Sequence, residues 1–282
     1  MLALIDGDIL VYRVGYTTEQ EDWPIARWRI NTLLDRIINF TQAEYAQIYL
    51  SDSTENCFRR KLFPAYKAHR TQPKPVHYDK LKEHLILSAG ARICIEEEAD
   101  DMLGIEQSKE SDSVICTIDK DLNQIPGLHF NFVKDELYEI SPGEAEFNFY
   151  YQLLQGDRVD FIPGIPRVGP KTATKLLEGA FTTEEYFTRC REAYHKAGLS
   201  DFDMYLTGLL VKIRTKPDEL WTFPNAFQSY QPKMEDLLSF SQIKAEEWMV
   251  KIPTVLSGQS TMEETQDGHQ QHGQKQDKSS MM

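Results

Sequence analysis

The sequence predicts an α/β protein, with a mainly parallel central sheet flanked by helices and a smaller helical region after it. Three observations carry that expectation. Short apolar runs recur at residues 2–5, 47–50, 92–95 and 113–118, each of a length suited to a buried strand. Apolar residues at helical spacing fill the intervals. Each run also leads into carboxylates: Asp6 and Asp8, then Asp52, then residues 96–101, then Asp119 and Asp121. In an open parallel sheet, ligands gather at the carboxyl ends of the strands.

The elements follow in order. Residues 2–5 form the first strand, closed by Asp6-Gly7-Asp8. That tripeptide also suits an ordinary turn, and Asp8 reads as a helix cap more readily than as a ligand. Ala26, Ile30, Leu33, Leu34, Ile37 and Ile38 share one face of an amphipathic helix. Residues 47–50 make the second strand, ending in Ser51-Asp52. Residues 58–70 interleave Phe58, Phe63 and Tyr66 with Arg59, Arg60, Lys61, Lys67 and Arg70. Aromatics can stack bases while cations hold phosphates, and Lys67 and Arg70 share a face if this segment is helical. Pro73 and Pro75 break it around Lys74, and a helix resumes over 78–88, so the pair could bridge a site. The alternative is a solvated basic surface. Residues 92–95 are the third strand and 113–118 the fourth. Residues 128–133 and 137–140 read as a strand pair. Ser141-Pro142-Gly143-Glu144 is a capping box with proline at the first helical position, and Phe147, Tyr150, Tyr151 and Leu154 mark that helix's packed face. Gly/Pro-rich residues 156–170 then open a helix at Gly169-Pro170, whose N-terminus, with Lys171 and Lys175, can hold a phosphate backbone without reading sequence. Helices are expected over 184–195, 202–213 and 234–250, and disorder over 257–282, which is rich in Gln, Ser, Gly and charge.

Charge sharpens the picture. Five of the six residues 96–101 are acidic, with the helix expected to begin among them. Acids complement a helix N-terminus. Glu97 and Glu98 one turn from Asp101 would nevertheless repel, and a hard divalent ion such as magnesium would reverse that sign. The net charge of −13 argues against a generic nucleic-acid binder. Yet residues 59–82 carry eight Lys or Arg against one acid, a local +7 that leaves −20 on the remainder. A basic stretch facing an acidic pocket fits a polyanion brought to a metal site. Cys57, Cys94, Cys116 and Cys190 have no paired spacing and read as free thiols of a reducing cytoplasm. No apolar run is long enough for a membrane span, and no Ser/His or Cys/His arrangement supports a covalent mechanism.

The ordered set of pieces resembles the 5′-nuclease superfamily, the flap endonucleases and phage 5′-to-3′ exonucleases with a PIN-like fold. They are Ile5-Asp6-Gly7, Ser51-Asp52, Arg59, Tyr66-Lys67, Arg70, Glu98-Ala99-Asp100-Asp101, Asp119-Lys120-Asp121, Gly156-Asp157, Asp160, and residues 165–171. The resemblance covers residues 1–180 and, in length, looks most like a stand-alone phage exonuclease. It implies two divalent ions, magnesium or manganese. One carboxylate group is Asp6, Asp52, Glu98 and Asp100; the other adds Asp101, Asp119, Asp121, Asp157 and Asp160. It implies Lys67 and Arg70 at the scissile phosphate on a helical arch over 59–90. It further implies a helix–three-turn–helix over 156–180 that grips duplex DNA and holds a potassium ion. Arg59, Arg60, Tyr66, Lys74, Gly164, Arg167, Gly169, Lys171 and Lys175 are the expected DNA contacts. Phe161 and Arg167 depart from the family's usual Asn and Gly, and Arg167 would either add a phosphate contact or spoil the turn.

The organisation expected is an α/β nuclease domain over 1–155, a helical DNA-binding subdomain over 156–256 and a tail. The function expected is metal-dependent 5′-to-3′ hydrolysis of duplex DNA by a monomer, in phage replication or primer removal. RNA–DNA hybrids are a further expected substrate. A flap endonuclease is the nearest alternative. A non-catalytic DNA-binding protein on a nuclease fold, or a PIN-like ribonuclease, is the more distant one.

Overall fold

A computed structural model of the chain describes residues 1–250, so the tail expected over 257–282 lies outside the described residues. Six strands form one sheet in the order β3-β2-β1-β4-β5-β6. They are β1 (Leu2–Asp6), β2 (Tyr45–Ser51), β3 (Arg92–Cys94), β4 (Ser113–Cys116), β5 (Gly127–Asn131) and β6 (Glu136–Ile140). Every pairing is parallel except the β5–β6 hairpin. The strands nearest the middle are continuous apolar runs because both their faces are covered. Ala3, Ile5, Ile48, Leu50, Val114 and Cys116 point into one core, and Leu4, Tyr49 and Ile115 into the other.

Helices α1 (Gly7–Thr17), α2 (Trp23–Thr41) and α4 (Tyr78–Ala89) cover the first face. The predicted stripe on α2 is the buried one, through Ala26, Ile30, Leu34 and Ile37. Each fully buried aliphatic side chain there contributes about 1.5–3 kcal/mol. Helix α5 (Ala99–Lys109) covers the second face with Leu103. It begins later than the sequence suggested. Glu98 is its N-cap and Glu97 stands outside it, where Arg214 pairs with it while burial, and then Asp101, still push its carboxyl up.

The basic segment differs from expectation. Only α3 (Phe58–Leu62) is helical before α4, and α4 lies on the sheet rather than above the site. No helical arch spans 59–90. Residues 63–77 form a collapsed loop, because Phe63, Ala65 and Tyr66 are drawn into the core of the helical region. That core is built by α6 (Pro142–Gln155), α7 (Pro170–Leu177), α8 (Thr183–Lys196), α9 (Asp201–Val211) and α10 (Met234–Met249). Its packing takes in α6, which precedes residue 156, as well as that loop. The capping box of Ser141 and Glu144 is formed. The four cysteines are free and buried. Among the described residues no helix is long and apolar enough to cross a membrane.

Candidate active site

The strand order reverses at β1. The chain steps outward from β1 to β2 and β3, then returns to place β4 on β1's other side. Such a switch point leaves a crevice at the carboxyl edge, and Asp6 ends the strand at its centre. One Asp6 oxygen caps α1, accepting from the Ile9 N–H at 3.1 Å. The other accepts from the Thr117 hydroxyl at 2.8 Å, just past β4. Asp6, not Asp8, is thus the helix cap. Gly7 is required beside it, since a Cβ there would meet the Tyr49 carbonyl oxygen at 2.5 Å. Asp8 takes the Ser51 N–H at 2.9 Å across to β2.

The β4 end supplies the next pair. Asp119 donates its N–H to the Thr117 hydroxyl at 3.0 Å and accepts the Asp121 N–H at 2.9 Å. Gln152 of α6 donates to Asp121. After α6, Asp157 accepts from the Val159 N–H at 2.6 Å and from the Asp160 N–H at 3.3 Å, which folds its loop toward the sheet. The result is one cleft of about 570 Å³ lined by eight carboxylates, namely Asp6, Asp8, Glu98, Asp100, Asp119, Asp121, Asp157 and Asp160. Two cations, Lys67 and Arg70, face them. Lys67 has a left-handed backbone, φ 53°, and its N–H donates to the Asp160 carbonyl at 2.9 Å. Its ammonium pairs with Glu98 and, at 3.3 Å, with Asp160, which also holds Arg70.

Residues 1–148 match the family described as 5′-3′ exonuclease, N-terminal resolvase-like domain. The chain belongs to the 5′-3′ exonuclease family. It is 30% identical over 209 residues to DNA polymerase I of Pseudomonas aeruginosa, covering 63% of this chain and 22% of that one. It is also 30% identical over 193 residues to the flap endonuclease Xni of Shewanella halifaxensis, covering 62% of this chain and 76% of Xni. The chain spans only 22% to 28% of the length of the DNA polymerase I relatives it matches first. The bacteriophage T5 D15 protein, co-crystallised with metal ions, shares the fold with a TM-score of 0.61 at 15% identity, covering 88% of this chain and 98% of its own.

The electrostatics of this cleft are those of under-compensated acid. Burial, then Asp8, pushes the Asp6 carboxyl up to about 7. Burial, then Asp119, Asp157 and Asp160, pushes Asp121 up to about 8. Burial and Asp6 raise Asp100 well above the usual range, and burial raises Asp119 and Asp157. Glu98 goes the other way. Burial opposes its ionisation, but Lys67 and Arg59 overcome that and hold it down at about 2. Eight carboxyl groups against two cations are the donor chemistry of a hard divalent ion. Among the described residues, however, no three carboxylates, histidines or thiols already stand as a closed cage. Donor type and charge fit such an ion; closing the ligand shell requires side-chain movement.

Several expected site residues are placed otherwise. Asp52 is absent from the cleft lining. It turns back to accept the Ser53 and Glu96 N–H groups at 2.7 and 3.2 Å, and Asp8 takes the place foreseen for it. Asp101 is fully buried against Arg59, at 2.5 and 2.9 Å, so neither is a metal ligand nor a DNA contact here. Arg59 also donates to Glu98 at 3.0 Å and to the Leu210 and Lys212 carbonyls. Tyr66 is buried, its hydroxyl donating to Glu98 at 2.8 Å and reaching Asp160 at 3.1 Å; it orients acids rather than stacking a base. Arg60 is folded back on the Tyr66 carbonyl at 2.8 Å. Lys74 lies outside the cleft, over the Tyr78 ring at 4.3 Å. Which of two aspartates flanking a glycine caps the helix depends on where the strand stops, and β1 runs through Asp6, which is therefore the cap in place of Asp8.

The hairpin between α6 and α7 borders a second groove of about 570 Å³, which shares Gln155, Gly156 and Asp157 with the acid cleft. Gly164 sits where a Cβ would lie 2.0 Å from the Gln155 backbone. Arg167 adopts φ 67° and Phe161 φ 62°, so the residue in the usual glycine's place takes glycine's backbone and the turn is formed. Gly169 caps α7. Arg167, Lys171 and Lys175 are exposed.

Proposed function

We propose that this chain is a divalent-metal-dependent 5′-nuclease that hydrolyses phosphodiester bonds of DNA from a free 5′ end. The observation that carries the reading is the convergence of Asp6, Asp100, Asp119, Asp121, Asp157 and Asp160, from four separate parts of the chain, on one cleft with Lys67 and Arg70. Asp6, Asp100, Asp119 and Asp121 would hold a magnesium or manganese ion, with Asp157 and Asp160 toward a second. Such ions, when bound, supply a Lewis acid for the phosphoryl oxygen and a water acidic enough to be a nucleophile near neutral pH.

The remaining work falls to the chain's own groups. Thr117 and the Ile9 N–H fix the Asp6 carboxylate, and Gln152 fixes Asp121. Lys67 and Arg70 exchange their carboxylate partners for the phosphate and stabilise its charge where it grows. The groove along 156–170 receives the duplex backbone. The N-terminus of α7, Arg167, Lys171 and Lys175 face phosphates there, and the formed turn at Arg167 keeps the expected potassium ion part of the proposal.

The test is digestion of 5′-labelled blunt duplex, 5′-flap and RNA–DNA hybrid substrates with magnesium or with EDTA. Metal-dependent release of short labelled products from the duplex is the expected result, and products of flap length would identify the flap endonuclease reading. Cleavage that persists in EDTA, or is unchanged in Asp119→Ala, would overturn the assignment.

A further inference from the structure

Phe161 is a residue to which the proposed reaction gives no task. It stands where the family usually has Asn, it is only 3% exposed, and its backbone is left-handed at φ 62°. Asn visits that conformation readily, because its short polar side chain can bond locally. A bulky side chain there is an outlier, and such outliers persist only where their surroundings over-determine them. Packing, not backbone preference, therefore holds a ring at this position.

That packing joins three parts of the chain. The Trp248 ring of α10 meets the Phe161 ring edge-on at 5.0 Å, and the His69 ring lies 5.2 Å from it. Trp248 also lines the groove beside the hairpin. The same helix is tied to the end of α3, where the Ser241 hydroxyl donates to the Leu62 carbonyl at 2.7 Å. His69 belongs to the basic loop, between Lys67 and Arg70. Its buried Nδ1 meets no hydrogen-bond partner among the described residues, so that ring too is placed by packing. The backbone completes the link. Asp160, just before Phe161, accepts the Lys67 N–H at 2.9 Å and pairs with the Lys67 ammonium at 3.3 Å. Arg70 reaches the same loop at the Val159 carbonyl, 3.4 Å away. Lys67 is itself left-handed at φ 53°, so a disfavoured backbone stands on each side of this one contact between loops.

We propose that Phe161 is a positioning residue for the cleavage step: its ring, seated against His69 and Trp248, fixes the 66–70 loop on the 159–161 loop and so places Lys67 at the phosphate. This rests on the role given to Lys67 in the proposed function. Phe161 does not line the acid cleft, so it acts through Lys67 and not on the substrate. Small displacements of a charge-bearing group are costly to a reaction that depends on its placement, which is what a rigid aromatic contact at the root of the loop prevents.

The experiment uses the full chain and measures two quantities: single-turnover cleavage of a 5′-labelled duplex at saturating protein with magnesium, and affinity for the same duplex in EDTA. Phe161→Asn removes the ring and keeps a residue suited to the left-handed backbone. It should cut about tenfold to a hundredfold more slowly, with affinity changed by less than about twofold. His69→Ala withdraws the other side of the contact from a half-buried position. It should behave likewise, and it carries the test if Phe161→Asn folds poorly. The Lys67→Ala background decides. There, adding Phe161→Asn or His69→Ala should slow cleavage by less than about twofold more, because residues that act as a unit are not additive. A slowing of full size in both backgrounds overturns the proposal, as does a rate within about twofold of wild type in both single variants. The two readings fail separately. Lys67→Ala that cuts like wild type removes the role of Lys67; Lys67→Ala that is slow, with Phe161→Asn fully additive to it, removes only that of Phe161.

Discussion

The Arg59 guanidinium shows how far a residue's chemistry depends on where its backbone is carried. It is buried, faces Asp101 and Glu98, and gives its remaining hydrogens to the carbonyls of Leu210, in the last turn of α9, and of Lys212 just after it. Breaking a buried pair by removing one partner leaves an uncompensated charge and costs about 3–5 kcal/mol. Arg59→Ala should therefore lower the urea-unfolding free energy by that amount, and Arg59→Met combined with Asp101→Leu should recover most of it; a loss under about 1 kcal/mol would show the pair to be dispensable. Lys67 is the opposite case, a cation at the cleft wall whose present partners are replaceable by phosphate. Lys67→Ala should slow single-turnover cleavage of a 5′-labelled duplex by about a hundredfold to a thousandfold, and a rate within a few-fold of wild type would remove it from the mechanism. From sequence both are basic neighbours of aromatics expected to meet DNA, Lys67 at the scissile phosphate and Arg59 as a further contact. What separates them is a tertiary fact, the insertion of Phe63 and Tyr66 into the helical core, which local pattern does not encode.

Strands and helices were more legible than the loops that join them, for a physical reason. A strand covered on both faces must be an apolar run, and α2 must show its buried stripe at helical spacing, so each announces itself. The loop over 63–77 does not, because its course follows from the left-handed Lys67 and the Asp160 carbonyl it binds, nearly a hundred residues away. Likewise the exchange of Asp52 for Asp8 turns on where β2 and β1 stop. The hairpin over 156–170 was readable because Gly and Pro there are required by contact. At Gly164 a methyl group would overlap the Gln155 backbone, which cannot move without shifting α6 and with it Gln152. Gly164→Ala should thus cost about 3 kcal/mol, at the upper end for overpacking because the obstacle is backbone. It should also weaken blunt-duplex binding in EDTA. Wild-type stability and affinity in this variant would show that the hairpin tolerates a wider crossing than the structure has.

For the whole molecule, the cleft couples folding to pH and, under the proposed function, to divalent ions, and both signs follow from its acids. Asp6 and Asp121 hold their protons up to about 7 and about 8 in the folded chain, against roughly 4 for an unfolded aspartate. Between those limits the native state binds more protons than the unfolded state, so stability falls as pH rises. Glu98, held at about 2, acts in the other direction, and its contribution is lost only as pH falls from its unfolded value toward 2. In EDTA the melting temperature should therefore decline from pH 5 to pH 8. A divalent ion takes the carboxylates ionised, and binding to the native state alone raises its stability by mass action. Millimolar magnesium should then raise the melting temperature more at pH 8 than at pH 5, and Asp121→Asn should flatten both the decline in EDTA and the gain with magnesium. Thermal unfolding at the two pH values, with and without magnesium, measures all four quantities. A magnesium-induced shift as large at pH 5 as at pH 8 would mean that the ion binds elsewhere, and that the acids gathered at the carboxyl edge of β1 and β4 are not what holds it.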